Sequence, residues 1–359
     1  MRLVETPFEN GRKLYEVVTD EGVHASQTGL SVFDSRFGRG YVECACICGV
    51  GTEPQFRRSG CVRTAFEAFF RDAREHPEWA VSFLHPFSFP YYRRMGYEKI
   101  SYHKSMEMPI DKLDMFPRFS GFEPFAPEME GELLSCYRRF AMGRSMMFDR
   151  KDMAMFPLRG KNKLYVLKEN GQIHAYIVWR VEDRMVVNRM IGDRLVVDEY
   201  GFDSPEALYK LFGFIRMFDG QVLNVFFTDT AMAPEIDMNL RHYHSVEYRL
   251  YPDISAKILN LKTMLEMNEY PRSGGSFTLA EAGGMAWRVE YEDGCVRVKE
   301  AHGGADVTCD SPSLSRIIYG AEPMTSERLK YMPGVRIDGD PEDLLRAFPV
   351  RAGGVFEHF

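Results

Sequence analysis

Hydrophobic and polar positions change period several times within the first hundred residues. Leu14 to Thr19 and Val23 to Phe33 read as two strands joined by the turn Asp20-Glu21-Gly22, a hairpin signal. Tyr41 to Val50 sets Val42, Cys44, Cys46, Cys48 and Val50 on one side of a third strand, and Pro54 then forces the chain out of the sheet. From Val62 to Arg74 the period becomes helical: Val62, Ala65, Phe66, Phe69 and Phe70 recur on one face, with Arg63, Glu67, Arg71 and Asp72 largely opposite. Trp79 to Leu84 is mostly apolar, as a buried strand parallel to the third would be. Strand, turn, helix and strand form a βαβ unit. Its turn, Gln55-Phe56-Arg57-Arg58-Ser59-Gly60, sits at the carboxyl end of a strand, where open α/β sheets bind ligands.

That turn places two arginines and a glycine where unpaired amides and the positive end of a helix converge, a setting suited to a phosphate. Gly60 lets backbone approach a ligand, and Arg57 and Arg58 can add charge-assisted bonds. Taken alone, the same residues also describe a solvated surface turn.

Past the linker-like Met115 to Gly121 the order of elements repeats. A helix is predicted around Met129 to Met142, strands at Lys163 to Lys168, His174 to Val181 and Leu195 to Tyr200, a helix from Pro205 to Phe218, and strands near Val222 to Thr228 and Val246 to Tyr251. At the position of the arginine turn stands Gly201-Phe202-Asp203-Ser204-Pro205-Glu206, a good helix cap whose two carboxylates would repel a phosphate. The second unit therefore reads as a structural copy without a cofactor. From about Ser255 a third pattern begins: a helix at Leu259 to Met267, strands at Ser276 to Ala280, Ala286 to Tyr291 and Cys295 to Glu300, and helices at Pro312 to Tyr319, Thr325 to Tyr331 and Pro341 to Phe348.

The length of 359 residues suits two or three domains. A net charge of −7, from 45 Lys and Arg against 52 Asp and Glu, argues against general nucleic-acid binding and is compatible with a cationic substrate. Cys44, Cys46 and Cys48 alternate along one strand as small core residues do. They lack the C-x-x-C turns of a thiolate metal site, and His242-x-His244 has no partner at a telling spacing, so no metal is expected. The Met-rich segment Met142 to Met155 suits core packing of a helix pair, with a flexible substrate surface as the alternative. No N-terminal signal pattern and no apolar run of spanning length is read, giving the cytoplasm as the expected location.

Val50-x-x-x-Pro54-x-x-Arg57-Arg58-x-Gly60 resembles the acyl-coenzyme A motif of the Gcn5-related N-acetyltransferases, the GNAT superfamily. Phe89-Pro90-Tyr91-Tyr92-Arg93-Arg94-Met95-Gly96-Tyr97-Glu98 is similar to the F-Y-x-x-x-G-Y segment that closes that domain. With the repeated second unit and the α+β ending, the chain resembles the Eis-like (enhanced intracellular survival) branch. The resemblance implies α/β and α+β architecture: a GNAT domain over 1–114, a degenerate GNAT-like unit over 115–254 and a sterol-carrier-protein-like α+β domain over 255–359. It implies acetyl-coenzyme A as acetyl donor, a primary amine of a small cationic or peptide molecule as acceptor, aminoglycosides among the candidates, and a homo-oligomer, trimer or hexamer.

Transfer to an amine needs pyrophosphate binding, stabilisation of an oxyanion, removal of a proton from the amine and a proton for the departing thiolate. Arg57, Arg58 and the amides of Ser59, Gly60 and Cys61 fit the first. By resemblance, the backbone of Val50, Gly51 and Thr52 binds the pantetheine arm, Tyr92 is the general acid and the C-terminal carboxylate of Phe359 is the base or steers the ammonium. Tyr91 is the neighbouring alternative to Tyr92, an aromatic packed in the core is the plain reading of either, and a frayed end is the plain reading of Phe359. His85 could simply end its strand. Only Met1 to Lys13 precede the first predicted strand, where GNAT domains usually carry a strand and two helices that form much of the acceptor pocket. A coenzyme A or acyl-ligand binding protein and a structural scaffold are the competing functions.

Overall fold

The computed structural model describes residues 1–183, 185–186, 189–190, 192–357 and 359. The first segment forms β1 (Arg2–Glu5), β2 (Arg12–Val18), β3 (His24–Phe37), β4 (Gly40–Thr52), α1 (Cys61–Glu75), β5 (Trp79–Leu84), α2 (Phe89–Arg93) and β6 (Glu98–Lys99). The hairpin, the crossover helix and the buried parallel strand stand where the periodicities put them. β1 is an addition: four residues too short and polar to show a period pair antiparallel with β2, so a strand does precede the hairpin. The chain passes from β1 to β2 without a helix. α1 buries Cys61, Ala65, Phe66, Ala68 and Phe69 on one face. Asp72 is buried on that face too, and accepts a hydrogen bond from Tyr15 at 2.7 Å and pairs with Lys13.

The second segment carries β7 (Tyr102–Pro109), β8 (Phe122–Pro124), α3 (Glu130–Ala141), β9 (Lys163–Glu169), β10 (Gln172–Glu182), the short antiparallel pair β11 (Met185–Val186) and β12 (Arg189–Met190), β13 (Arg194–Phe202), α4 (Pro205–Ile215), β14 (Asn224–Phe227), α5 (Glu235–Met238) and β15 (Glu247–Pro252). The third carries β16 (Ser255–Ile258), α6 (Leu261–Met267), β17 (Gly275–Glu281), β18 (Ala286–Glu292), β19 (Cys295–Ala301), β20 (Val307–Cys309), α7 (Ser311–Ile318), α8 (Ser326–Leu329), β21 (Val335–Ile337) and α9 (Glu342–Ala347). Among the described residues no helix is long and apolar enough to cross a membrane.

Three mixed sheets result. The first runs β1-β2-β3-β4-β5-β16-β6, with β4 and β5 parallel around α1. The second runs β8-β9-β10-β13-β14-β7-β15, with β13 and β14 parallel around α4. The two orders agree place by place, so the repetition expected from the sequence is a repetition of topology. The sixth place is filled crosswise: β7, which follows the first sheet's last strand along the chain, lies in the second sheet, and β16, which follows β15, lies in the first. The third sheet, β19-β18-β17-β20-β21, makes the α+β ending. By compactness the chain divides into one unit of 1–101, 253–351 and 358–359 and another of 102–252 and 352–357.

In the second unit Met147 joins the core from an irregular segment rather than from a helix. Arg150, wholly buried, binds Glu199 through both terminal nitrogens at 2.5 and 2.8 Å and Glu357 through Nε at 2.7 Å. Burial opposes its charge, but Glu199 and Glu357 outweigh that and hold its pKa well above the ordinary arginine value. Tyr176 also donates to Glu199, at 2.9 Å. Replacing the guanidinium would leave two carboxylates buried without a cation. Arg150→Met is expected to destabilise the protein by about 3–5 kcal/mol in urea unfolding at pH 7; a change under ~1 kcal/mol would show the network to be dispensable.

Candidate functional site

The site grows from a fault in the first sheet. Along β3 and β4 the register steps from Gly29 opposite Cys48 to Gln27 opposite Gly51, so β4 carries one residue more than its partner. Gly49, at φ +56°, supplies the left-handed turn this bulge needs. On its other side β4 pairs with β5 only as far as Ile47 opposite Leu84. The end of β4, through Thr52, is therefore hydrogen-bonded by β3 alone and leaves a backbone edge open. Ser26 fixes this end by donating to the Gly51 carbonyl at 2.7 Å and lying 3.0 Å from the Thr52 hydroxyl.

A single turn at Pro54–Phe56 then leads into the arginine segment. Arg58 at φ +68° and Gly60 at φ +90° both adopt left-handed backbone and bend the chain sharply into α1. No side chain caps α1 and no acid stands in its first turn, so its leading amides and positive end stay uncovered. The second unit differs at the matching place: Ser204 caps α4 by accepting from the Ala207 amide at 3.1 Å, Pro205 has no amide to offer and Glu206 lies in the first turn.

Open strand edge and uncapped helix border one cavity of about 940 Å³. Seven of the residues expected at a cofactor line it: Val50, Gly51, Thr52, Arg57, Arg58, Gly60 and Cys61. Ser59 does not. Its amide and its hydroxyl both bond to the Phe56 carbonyl, at 3.3 and 2.5 Å, which tightens the turn. Arg63 and Arg94, which the motif reading passed over, also face the cavity, so four arginines oppose the single carboxylate Glu67. Arg63 belongs to the first turn of α1, a signal that helical periodicity could have supplied. Phe66, Phe70, Phe87, Tyr91 and Met95 complete an apolar wall.

Tyr91 lines the cavity and Tyr92 does not. Tyr92 is 2% exposed, with its ring 6.0 Å from Phe66, 5.3 Å from Phe87 and 5.2 Å from Tyr91. Burial, with the neighbouring Tyr91, lifts its pKa well above the ordinary phenol value. Burial also raises that of Tyr91, against the lowering effect of Arg63. Phe359 packs its ring 4.8 Å from His85 and 6.3 Å from Phe33. His85 follows the end of β5 and sets Nδ1 3.4 Å from Asp253 Oδ1. The pairing of His85 with Asp253 was hidden in the sequence by the 168 positions that separate them.

Residues 4–100 match the acetyltransferase (GNAT) domain family. Solved structures with the same fold include a GCN5-related N-acetyltransferase from Anabaena variabilis, 19% identical, with a TM-score of 0.79 over 97% of this chain and 90% of that one. A probable N-acyltransferase from Enterococcus faecalis is 17% identical, with a TM-score of 0.79 over 97% and 89%. Eis1 from Mycobacterium abscessus is 16% identical, with a TM-score of 0.78 over 98% and 91%. A comparison with curated proteins finds no match.

The turn has a direct conformational test. An added Cβ meets nothing within 4 Å at Gly60 or at Gly51, but only Gly60 has positive φ. Gly60→Ala should therefore lower stability by about 1–2 kcal/mol through backbone strain, whereas Gly51→Ala should stay within ~0.5 kcal/mol. Equal effects in urea unfolding would mean that the turn relaxes.

Proposed function

We propose that the chain is an N-acetyltransferase whose first GNAT unit uses acetyl-coenzyme A to acetylate a primary amine of a small cationic or peptide molecule. The observation that carries the reading is the meeting of an open β4 edge, an uncapped α1 and four arginines around one cavity. These features fit the donor part by part. Arg57 and Arg58 with the Gly60 and Cys61 amides would hold a pyrophosphate, Val50 to Thr52 would bond the amide-bearing arm in the manner of an added strand, and Ser59 would shape the turn. Bound there, the thioester supplies the acetyl group and a thiolate leaving group.

The remaining roles fall to side chains. Tyr92 is the proposed acid: its hydroxyl has no hydrogen-bond partner among the described residues, its ring is clamped by other rings, and its raised pKa keeps it protonated across the physiological range. The proposed base is the carboxylate of Phe359. His85 is a second candidate, favoured by its contact with the Phe359 ring and its approach to Asp253, which can fix its tautomer. The acceptor amine and an assembly as trimer or hexamer rest on the Eis-like resemblance. So does the sterol-carrier-like reading of the third sheet.

Titration calorimetry with coenzyme A, then a mass-spectrometric amine panel with acetyl-coenzyme A, tests the reading. Binding without turnover on any amine would favour the ligand-binding alternative, and no binding would favour a scaffold. Tyr92→Phe should lower kcat about tenfold or more with coenzyme A affinity nearly unchanged; an unaltered rate, with loss in Tyr91→Phe, would move the acid to Tyr91. A few residues added after Phe359 should cripple turnover, and an active extended protein that His85→Ala inactivates would make His85 the base.

A further inference from the structure

Most sheet edges in this protein are blunted. β1 has four residues, β6 two, β21 three, and β8 three ending at Pro124. β19 is seven residues long, but Arg297 and Lys299 stand on one face, so pairing with its own copy about Val298 would set like charges opposite each other. β15 is different. It pairs with β7 in unbroken register over six residues and nothing in the sheet covers its other side. Every one of its residues is exposed, including Tyr248 at 40%, Leu250 at 61% and Tyr251 at 49%. Among the described residues the outer backbone groups of Glu247 to Leu250 have no strand partner, and such an edge flanked by large apolar side chains calls for a strand.

The sequence of β15 specifies which one. Two identical antiparallel strands related by a two-fold axis normal to the sheet must cross at a residue that faces itself, because directly opposed residues share a face. Centred on Tyr248, the pairing sets Glu247 of each copy against Arg249 of the other, Tyr248 against Tyr248, and Val246 against Leu250. Centred on Glu247 or on Arg249, it sets like charges in contact, and centred on Leu250 it leaves Arg249 opposite Tyr251 without a carboxylate and sets Tyr248 against Pro252, which has no amide to donate. Among the described residues neither Glu247 nor Arg249 has an ion-pair partner within its own chain. We infer that β15 is a docking edge for β15 of a second copy of this chain, joining two copies of the second sheet into one through a two-fold axis at Tyr248. The inference is independent of the acetyltransferase reading and goes beyond oligomerisation as such by naming the edge and its register.

Cysteine cross-linking tests the register. In a Cys295→Ser background, which removes the exposed native thiol, Tyr248→Cys should give a disulfide-linked dimer on mild oxidation. Leu250→Cys should not, since its two copies would lie four residues apart along the strands, about 13 Å. A dimer at 250 in preference to 248, or at neither, overturns the proposal. Sedimentation of charge variants, which keep Tyr248 intact, gives a second readout. Arg249→Glu should weaken self-association about tenfold, and Glu247→Arg combined with Arg249→Glu should restore it. A monomeric wild type, or equal association in all three proteins, overturns the proposal as well.

Discussion

One extra residue in β4 opens the backbone edge on which the proposed donor site depends. A strand in the middle of a sheet spends its backbone donors and acceptors on both neighbours. The bulge at Gly49 and the early end of pairing with β5 release one side of β4, and they do so beside the turn in which arginines and an uncapped helix come together. Had β4 and β5 stayed paired to their ends, the arginines would still attract an anion, but an extended ligand would have no edge to lie along. In the proposed site charge would recruit the ligand and backbone would orient it.

The second unit differs from the first at few residues of the proposed ligand site. Its strand order and its parallel pair around a helix match those of the first unit. Its helix, however, begins with a serine that satisfies an amide from within, a proline and a glutamate. The anion that an N-terminus would otherwise seek is supplied by the protein. Fold is held in common, and three residues at a helix start decide between an open and a closed electrostatic socket.

Local chemistry was the most legible part of the sequence. The hairpin, the amphipathic face of α1, the arginine turn and the serine cap of α4 depend on neighbours within a few positions, and the chain reads them directly. Tyr92 shows where that stops: the motif names it, but its packing behind Phe66 and Phe87 while Tyr91 faces the cavity is set by χ angles and by ring neighbours that spacing does not encode. Ser59 is similar, since a hydroxyl that could face a ligand turns back to the Phe56 carbonyl instead. The crosswise placement of β7 and β16 and the approach of Asp253 to His85 were beyond reach for a simpler reason. Tyr102–Pro109 and Ser255–Ile258 mix polar and apolar residues without a clear period, and neither is read as a strand before the sheets place them.

That placement bears on how the chain is made. During synthesis β1 to β5 of the first sheet emerge early, yet the sixth place, through which β6 also joins, stays empty until Ser255–Ile258 has left the ribosome. Over about 150 residues of elongation β5 is a bare inner edge, and the wrong strand could reach it first. β7, the next strand to emerge, is the nearest competitor along the chain: it follows β6 directly and fills the corresponding sixth place of the second sheet. Whatever biases β7 against that early partner is thus a determinant of yield in the cell as well as of final stability, since Tyr102–Pro109 ends between β14 and β15 with Met106 and Met108 in the core.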